Sequence, residues 1–277
     1  MSLPHSLITG FEALSTQSDQ DFDYARAFAL VSKALRPSAK IEDGLLKLHE
    51  LAEGLKTDLS ADQRLTDKVA VLRAYMVAEN DFHGDEDAYD DLDHMNLFSI
   101  LETGCGTAMG LGFIYLYCLH HCGLKANVLN FPAHCLIRVE EGPNRIIFDP
   151  FAGVLELEAV DLRQFLKVIG GADVELGPQY YQELSPKTVF IRHLNAIKSH
   201  FLRCEQTQEA LEVLHILILL EADSAAFWRE SGLLKARIGQ LVQAVADLKQ
   251  ALLHTEDENT KRHTRHIIAD LEGALSD

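Results

Sequence analysis

The chain has 277 residues, 47% of them hydrophobic and 24% charged, enough for one large or two smaller packed domains. Its 25 Lys and Arg against 42 Asp and Glu give a formal net charge of −17, which repels phosphate backbones and anionic lipid and disfavours general nucleic-acid or membrane-surface binding. The opening MSLPHSLITGFEALS has neither the basic nor the apolar stretch of a signal peptide. No run approaches the roughly 20 apolar residues that span a bilayer, and five irregularly spaced cysteines fit a reducing compartment. The composition therefore leads to the expectation of a cytoplasmic protein.

Residues 21 to 56 read as two amphipathic helices. DFDYARAFALVSKAL places Tyr24, Phe28, Leu30 and Val31 at helical spacing and ends before Pro37, and IEDGLLKLHELAEGL repeats Leu45, Leu48 and Leu51. Ser60 is a candidate N-cap for a further helix that runs through LTDKVAVLRAYMVAE, 65 to 79. A polar stretch follows with Asp85, Glu86, Asp87, Asp90, Asp91 and Asp93. As a calcium loop it fails at two positions: Asp90 stands where the turn glycine belongs and Asn96 where the bidentate glutamate belongs. It is expected to be a solvated acidic loop, with no metal.

The segment TAMGLGFIYLYCLHHCG is apolar on almost every side, which predicts a helix buried on most faces. Thr107 is its N-cap and Gly123 its stop, and Gly104, Gly106, Gly110 and Gly112 around its start imply close backbone approach. Three strand-like runs come next: ANVLN (126–130), HCLIRVE (134–140) and NRIIFD (144–149). With Glu141-Gly142 as a two-residue turn, His134 falls opposite Asp149, Cys135 opposite Phe148 and Arg138 opposite Arg145. One face of this hairpin, Cys135, Ile137, Val139, Ile146 and Phe148, is a core face; the other begins with the His134/Asp149 pair.

From about 189 onward the pattern is helical. Trp228, Gly232, Gly239, Ala244, Leu248 and Ala251 occupy the spacing of a 34-residue tetratricopeptide repeat. One period earlier stand Leu194, Lys198, Glu205, Ala210, Leu214 and Leu217, a weaker copy, and residues 258–275 read as a capping helix with a polar outer face.

The run FHGDEDAYDDLDHMNLFSILETGCGTAMGLGFIYLY, continued by NFPAHCLIRV and IIFDPF, resembles the bacterial SirB family. The resemblance covers roughly 20 to 275 and is strongest over 82–153. It implies an α+β fold, mainly helical: a transglutaminase-like core with a small antiparallel sheet packed on the buried helix, followed by tetratricopeptide-like helical hairpins. The corresponding division is 1–185 and 186–277.

In that superfamily a cysteine begins the central helix, a histidine begins one strand and an aspartate ends the next. A thiol at a helix N-terminus is acidic, the imidazole takes its proton and the carboxylate orients the imidazole. His134 and Asp149 match two of these positions. The third, two residues after Gly106, is Ala108, and SirB relatives similarly tend to lack the cysteine. The resemblance thus implies a degenerate site and a regulatory part in the cell.

Two functional readings follow. The first is a non-catalytic interaction or regulatory protein, without cofactor or metal, whose tetratricopeptide-like region takes a protein partner and which makes no direct nucleic-acid contact. His134 and Asp149 then form a structural hydrogen bond or a retained binding pocket. The second is a cysteine-dependent hydrolase or acyltransferase with Cys105 as a displaced nucleophile beside His134 and Asp149. Cys118 and Cys122, with His121 near them, lack structural-zinc spacing and are expected to pack in the core. Cys135 is expected to face the core and Cys204 to be a packing or surface thiol. His120, His121, His263 and His266 are expected at solvent or interfaces.

Overall fold

A computed structural model of the chain describes residues 3–85 and 90–275. Two compact units emerge: residues 18–193, and the C-terminal helices from Leu194 together with the N-terminal stretch up to Gln17. The division falls inside a continuous helix, α8 (Pro186–Arg203), rather than at 185/186. The N-terminal helix α1 (His5–Ser15), expected with the core, packs instead on α9 (Thr207–Leu220), burying Leu7, Phe11 and Leu14.

In the larger unit, α2 (Tyr24–Leu35) starts where Asp23 accepts a hydrogen bond from the Arg26 N–H, and it buries Phe28, Leu30 and Val31. Next comes α3 (Ile41–Asp58), which buries Leu48, Ala52 and Leu55. Ser60 does not cap the following helix: its N–H bonds Gln63 Oε1, and α4 (Leu65–Arg73) begins after Arg64, then widens into a π-helical turn over Ala74–Glu79. A two-residue parallel pair joins β1 (His83–Gly84) to β2 (Cys105–Gly106). Between them α5 (Leu97–Thr103) is capped by Asn96, whose Oδ1 accepts from the Phe98 N–H at 3.0 Å while its Nδ2 donates to Ser32 O at 2.9 Å. Asn96 is thus a buried helix cap. Of the acidic stretch, Glu86 and Asp87 lie outside the described residues, as does Tyr89 of the family-like run; Asp91 and Asp93 make local bonds to the Asp93 N–H and the Ser99 hydroxyl.

The central helix α6 (Ala108–His121) has the expected cap, Thr107 Oγ1 accepting from the Gly110 N–H, and Gly123 beyond its end sits at φ +74. Ten of its 14 residues are buried, as all-round apolarity requires. Against it lies an antiparallel sheet in the order β3 (Lys125–Val128), β4 (Ile137–Glu141), β5 (Asn144–Asp149), β6 (Leu155–Glu156), followed by α7 (Ala159–Gly170). The observed register pairs Ile137 with Phe148, Val139 with Ile146 and Glu141 with Asn144. The turn is therefore Gly142-Pro143, with Gly142 at φ +59, and the pairing is two residues away from the expected one. A two-residue slip keeps every side chain on its expected face, so Ile137, Val139 and Phe148 are fully buried. It also removes the unfavourable Arg138/Arg145 pair: Arg145 opposes Glu140, and Arg138 forms an ion pair with Glu140, Nε to Oε1 2.7 Å.

In the smaller unit the end of α8 is followed by α9, and α10 (Ala225–Arg237) and α11 (Leu241–His254) pack as a hairpin, with α12 (Glu258–Ala274) against α11. The repeat positions behave as their spacing demands. A Cβ on Gly232 would stand 2.7 Å from Leu248 Cγ, Gly239 adopts φ +79, and Ala244, Leu248 and Ala251 are buried. In the weaker copy Glu205 takes the same left-handed turn at φ +59, and Leu194, Ala210, Leu214 and Leu217 are fully buried.

Candidate functional site

Ala108 is the first residue of α6 and is 7% exposed, directly after the capping Thr107. The positive end of a helix dipole is the environment that would acidify a thiol. The side chain present is a methyl group, with no lone pair to attack and no proton to give.

His134 lies ahead of β4 rather than within it, in the connection that runs from β3 through Ala133 at φ +58. It still meets Asp149, the last residue of β5: His134 Nδ1 stands 3.4 Å from Asp149 Oδ2. Asp149 is nearly buried and its other oxygen, Oδ1, accepts from the Phe151 N–H at 2.9 Å, bracing the turn into β6. The imidazole lies flat on Phe165 of α7, ring centroids 4.4 Å apart and planes 7° from parallel, with Phe131 edge-on at 6.1 Å. Phe131 and Phe165 belong to the apolar cluster of Leu136, Leu157, Leu162 and Leu166. The histidine and aspartate of the expected constellation therefore come together, with an aromatic wall under the ring that the sequence reading did not foresee.

Cys105 is placed differently from a poised nucleophile. It sits in β2 opposite His83, its N–H bonded to Thr103 Oγ1. Burial, and then the carboxylates of Asp85 and Asp81, push its thiol above the usual range. The expectation of an acidic thiol at this entry to the helix is thus reversed, because its charged neighbours are acids and the helix begins three residues later. Cys118 is fully buried and its thiol is raised by that burial; Cys122 is half-buried and raised as well. Cys135 is buried against α6, where a Cβ on Gly112 would stand 2.4 Å from its Sγ, and burial pushes its thiol up to about 12. Cys204 is an exposed thiol 3.7 Å from His200 Nε2.

The remaining histidines are less passive than expected. His120 is held between the Tyr24 hydroxyl and Ala126 O. His121 meets Glu53, and together with His49 these form a three-residue cluster. His263 contacts Arg229 in the wall of a groove in the C-terminal unit, and His266 lies near Asp270 on the surface.

That groove has a cavity volume of about 820 Å³ between α10, α11 and α12. Its lining combines the small or apolar residues Ala225, Ala226, Leu233 and Ala251 with Arg229, Arg262 and His263. Arg229 Nη2 lies 3.3 Å from His263 Nδ1, and Arg262 Nη2 donates to Asn259 Oδ1 at 2.8 Å. Neither guanidinium forms an ion pair among the described residues. The one acid of the lining, Glu230, is engaged by Lys198 at 2.5 Å. In a chain of net charge −17 this leaves a local cationic concavity.

Among the described residues no helix is long and apolar enough to cross a membrane. A family model described as the transglutaminase-like superfamily matches residues 42–195, and one described as a tetratricopeptide repeat matches residues 197–271. A UPF0162 protein of Xylella fastidiosa (strain Temecula1) is 22% identical over 261 residues, covering 92% of both chains. A UPF0162 protein of Haemophilus influenzae is 21% identical over 230 residues, 83% of this chain and 86% of the relative. Protein SirB1 of Salmonella typhimurium is 27% identical over 239 residues, 82% of this chain and 87% of the relative. No solved structure matches the chain significantly.

Proposed function

Given that the chain belongs to the transglutaminase-like superfamily, we propose that it keeps that fold as a non-catalytic body and acts as an interaction protein of regulatory type, taking an acidic segment of a protein partner in the groove of its tetratricopeptide helices. The observation that carries this reading is the pair Arg229 and Arg262, which line the groove together with small apolar residues and meet no carboxylate among the described residues. A peptide with carboxylates spaced by apolar side chains satisfies both features: the guanidiniums take charge-assisted hydrogen bonds, and the alanines leave room for the apolar groups.

Ala108 supports the non-catalytic half of the proposal, since a methyl group stands at the start of α6. The raised Cys105 thiol supports it too, because a protonated thiol is a poor nucleophile near neutrality. His134 and Asp149 then serve the fold: the carboxylate braces the turn at Phe151, and the imidazole joins that turn to the aromatic face of α7.

The test is fluorescence anisotropy with a labelled peptide of alternating Glu and Leu, on the full chain. Binding is expected to weaken at least about tenfold in Arg229→Glu, and to fall as salt rises. An affinity unchanged by Arg229→Glu and Arg262→Glu, or no binding by the wild type, overturns the reading.

A further inference from the structure

The three-residue cluster between α3 and the end of the central helix has the makings of a metal centre. His49 and Glu53 stand one turn apart on α3, so both side chains leave the same face of the helix. His121 closes the last turn of α6, the helix against which α3 packs. The burial of Leu48, Ala52 and Leu55 fixes the rotation of α3 and with it the direction of the two polar residues between them. Glu53 Oε1 lies 2.5 Å from His121 Nε2, and the rings of His49 and His121 meet edge-on with centroids 5.0 Å apart. One candidate donor atom from each residue falls within 4.8 Å of the other two.

We propose that His49, Glu53 and His121 bind a divalent transition-metal ion, zinc by the class of its donors. Two imidazole nitrogens and one carboxylate oxygen form a familiar zinc set, and such ligands lie about 2.0–2.2 Å from the ion. Donors around a tetrahedral ion are then separated by roughly 3.4 Å, so side-chain movements of an ångström or so bring this trio into place. Three protein ligands leave one position for water. The site is reachable, because the Glu53 side chain is 46% exposed and that of His121 20%.

Neighbouring groups fit the assignment. Tyr117 lies almost parallel to the His121 ring, with planes 11° apart, and limits its orientation. Lys56 Nζ stands 3.5 Å from Glu53 Oε1, and its half-exposed side chain is free to leave when a cation enters. Cys122 is beside the site but turns its thiol toward Ala52 O at 4.0 Å, outside the ligand set. An ion held from both helices would tie α3 to the end of α6.

The experiment is a zinc titration of the full, tag-free chain in competition with a chromophoric chelator, repeated with cobalt to read ligand-field absorption. One equivalent is expected to bind the wild type. His49→Ala, Glu53→Gln and His121→Ala should each weaken it at least about tenfold, the order seen even for supporting residues of metal sites, while Cys122→Ser keeps the wild-type affinity. His49 is exposed, so its variant retains the helical circular dichroism and decides the matter even where His121→Ala folds poorly. A folded His49→Ala that binds zinc as the wild type does, or a wild type that takes up no stoichiometric zinc, overturns the assignment.

Discussion

The imidazole of His134 lies flat on the ring of Phe165, 4.4 Å between centroids, while its Nδ1 faces Asp149. In a catalytic dyad the histidine must present its second nitrogen to a nucleophile; here the first residue of the neighbouring helix α6 is Ala108. A structural role sets an order of costs. Asp149→Ala leaves the Phe151 N–H without its acceptor and should destabilise by about 1–3 kcal/mol. His134→Ala removes a half-exposed stacked ring and should cost about 1 kcal/mol. Urea denaturation of the two variants gives both values, and a larger loss in His134→Ala contradicts the account.

Gly112 is needed for the seat of Cys135. Alanine there would bring a methyl carbon to 2.4 Å from Sγ, an overlap that costs about 1–3 kcal/mol and outweighs the roughly 0.5–1 kcal/mol that alanine gains over glycine within a helix. Combining Gly112→Ala with Cys135→Ala should recover much of the loss, so that the two changes are strongly non-additive. A double-mutant cycle in which the costs simply add would show that α6 and the Cys135 segment do not meet as described.

His193 is fully buried among Phe28, Phe113 and Phe190, with Nε2 3.1 Å from Met95 O. Burial lowers its pKa to about 4 from an ordinary 6.5, and the Met95 bond offsets this only in part. Between those values the unfolded chain binds the proton and the folded one does not, so stability is intact above pH 6.5 and falls toward pH 4. The full contribution is about 3 kcal/mol at 1.36 kcal/mol per pH unit. His193→Gln should flatten this part of a stability-versus-pH curve; an unchanged slope would contradict the neutral buried histidine.

Cys105 is held protonated near neutrality by burial and by two acids. Its alkylation by iodoacetamide, followed by peptide mass spectrometry, should be slow at pH 7 and accelerate only above the ordinary thiol range. Neutralising an acid with Asp81→Asn should speed it. Rapid labelling at pH 6–7 would instead restore Cys105 as a nucleophile candidate.

How much of this was legible from residues alone depended on the range of the interaction. Thr107, the all-apolar helix and Gly123 are local signals, and α6 follows them closely. The 34-residue period was legible because each residue type answers a packing constraint; Gly232 lies against Leu248 and Gly239 turns left-handed. The hairpin register went astray by two because Glu141-Gly142 and Gly142-Pro143 are both plausible turns. The faces survived because side chains alternate with period two. Helix α7 carries a capping box, Glu158 with Asp161, that a closer reading would have found, and Leu7, Phe11 and Leu14 mark α1 in the same way. Phe165 beneath His134, Arg229 beside His263 and Glu53 beside His121 carry no such mark, since each contact joins separate elements.

The most direct test of the central claim is quantitative affinity capture from extract, comparing one partner band across the wild type, Arg229→Glu/Arg262→Glu and Cys105→Ser. The account predicts that the band is lost with the arginines and retained at wild-type level in Cys105→Ser. A band that survives the double arginine change, or disappears with Cys105, would contradict it.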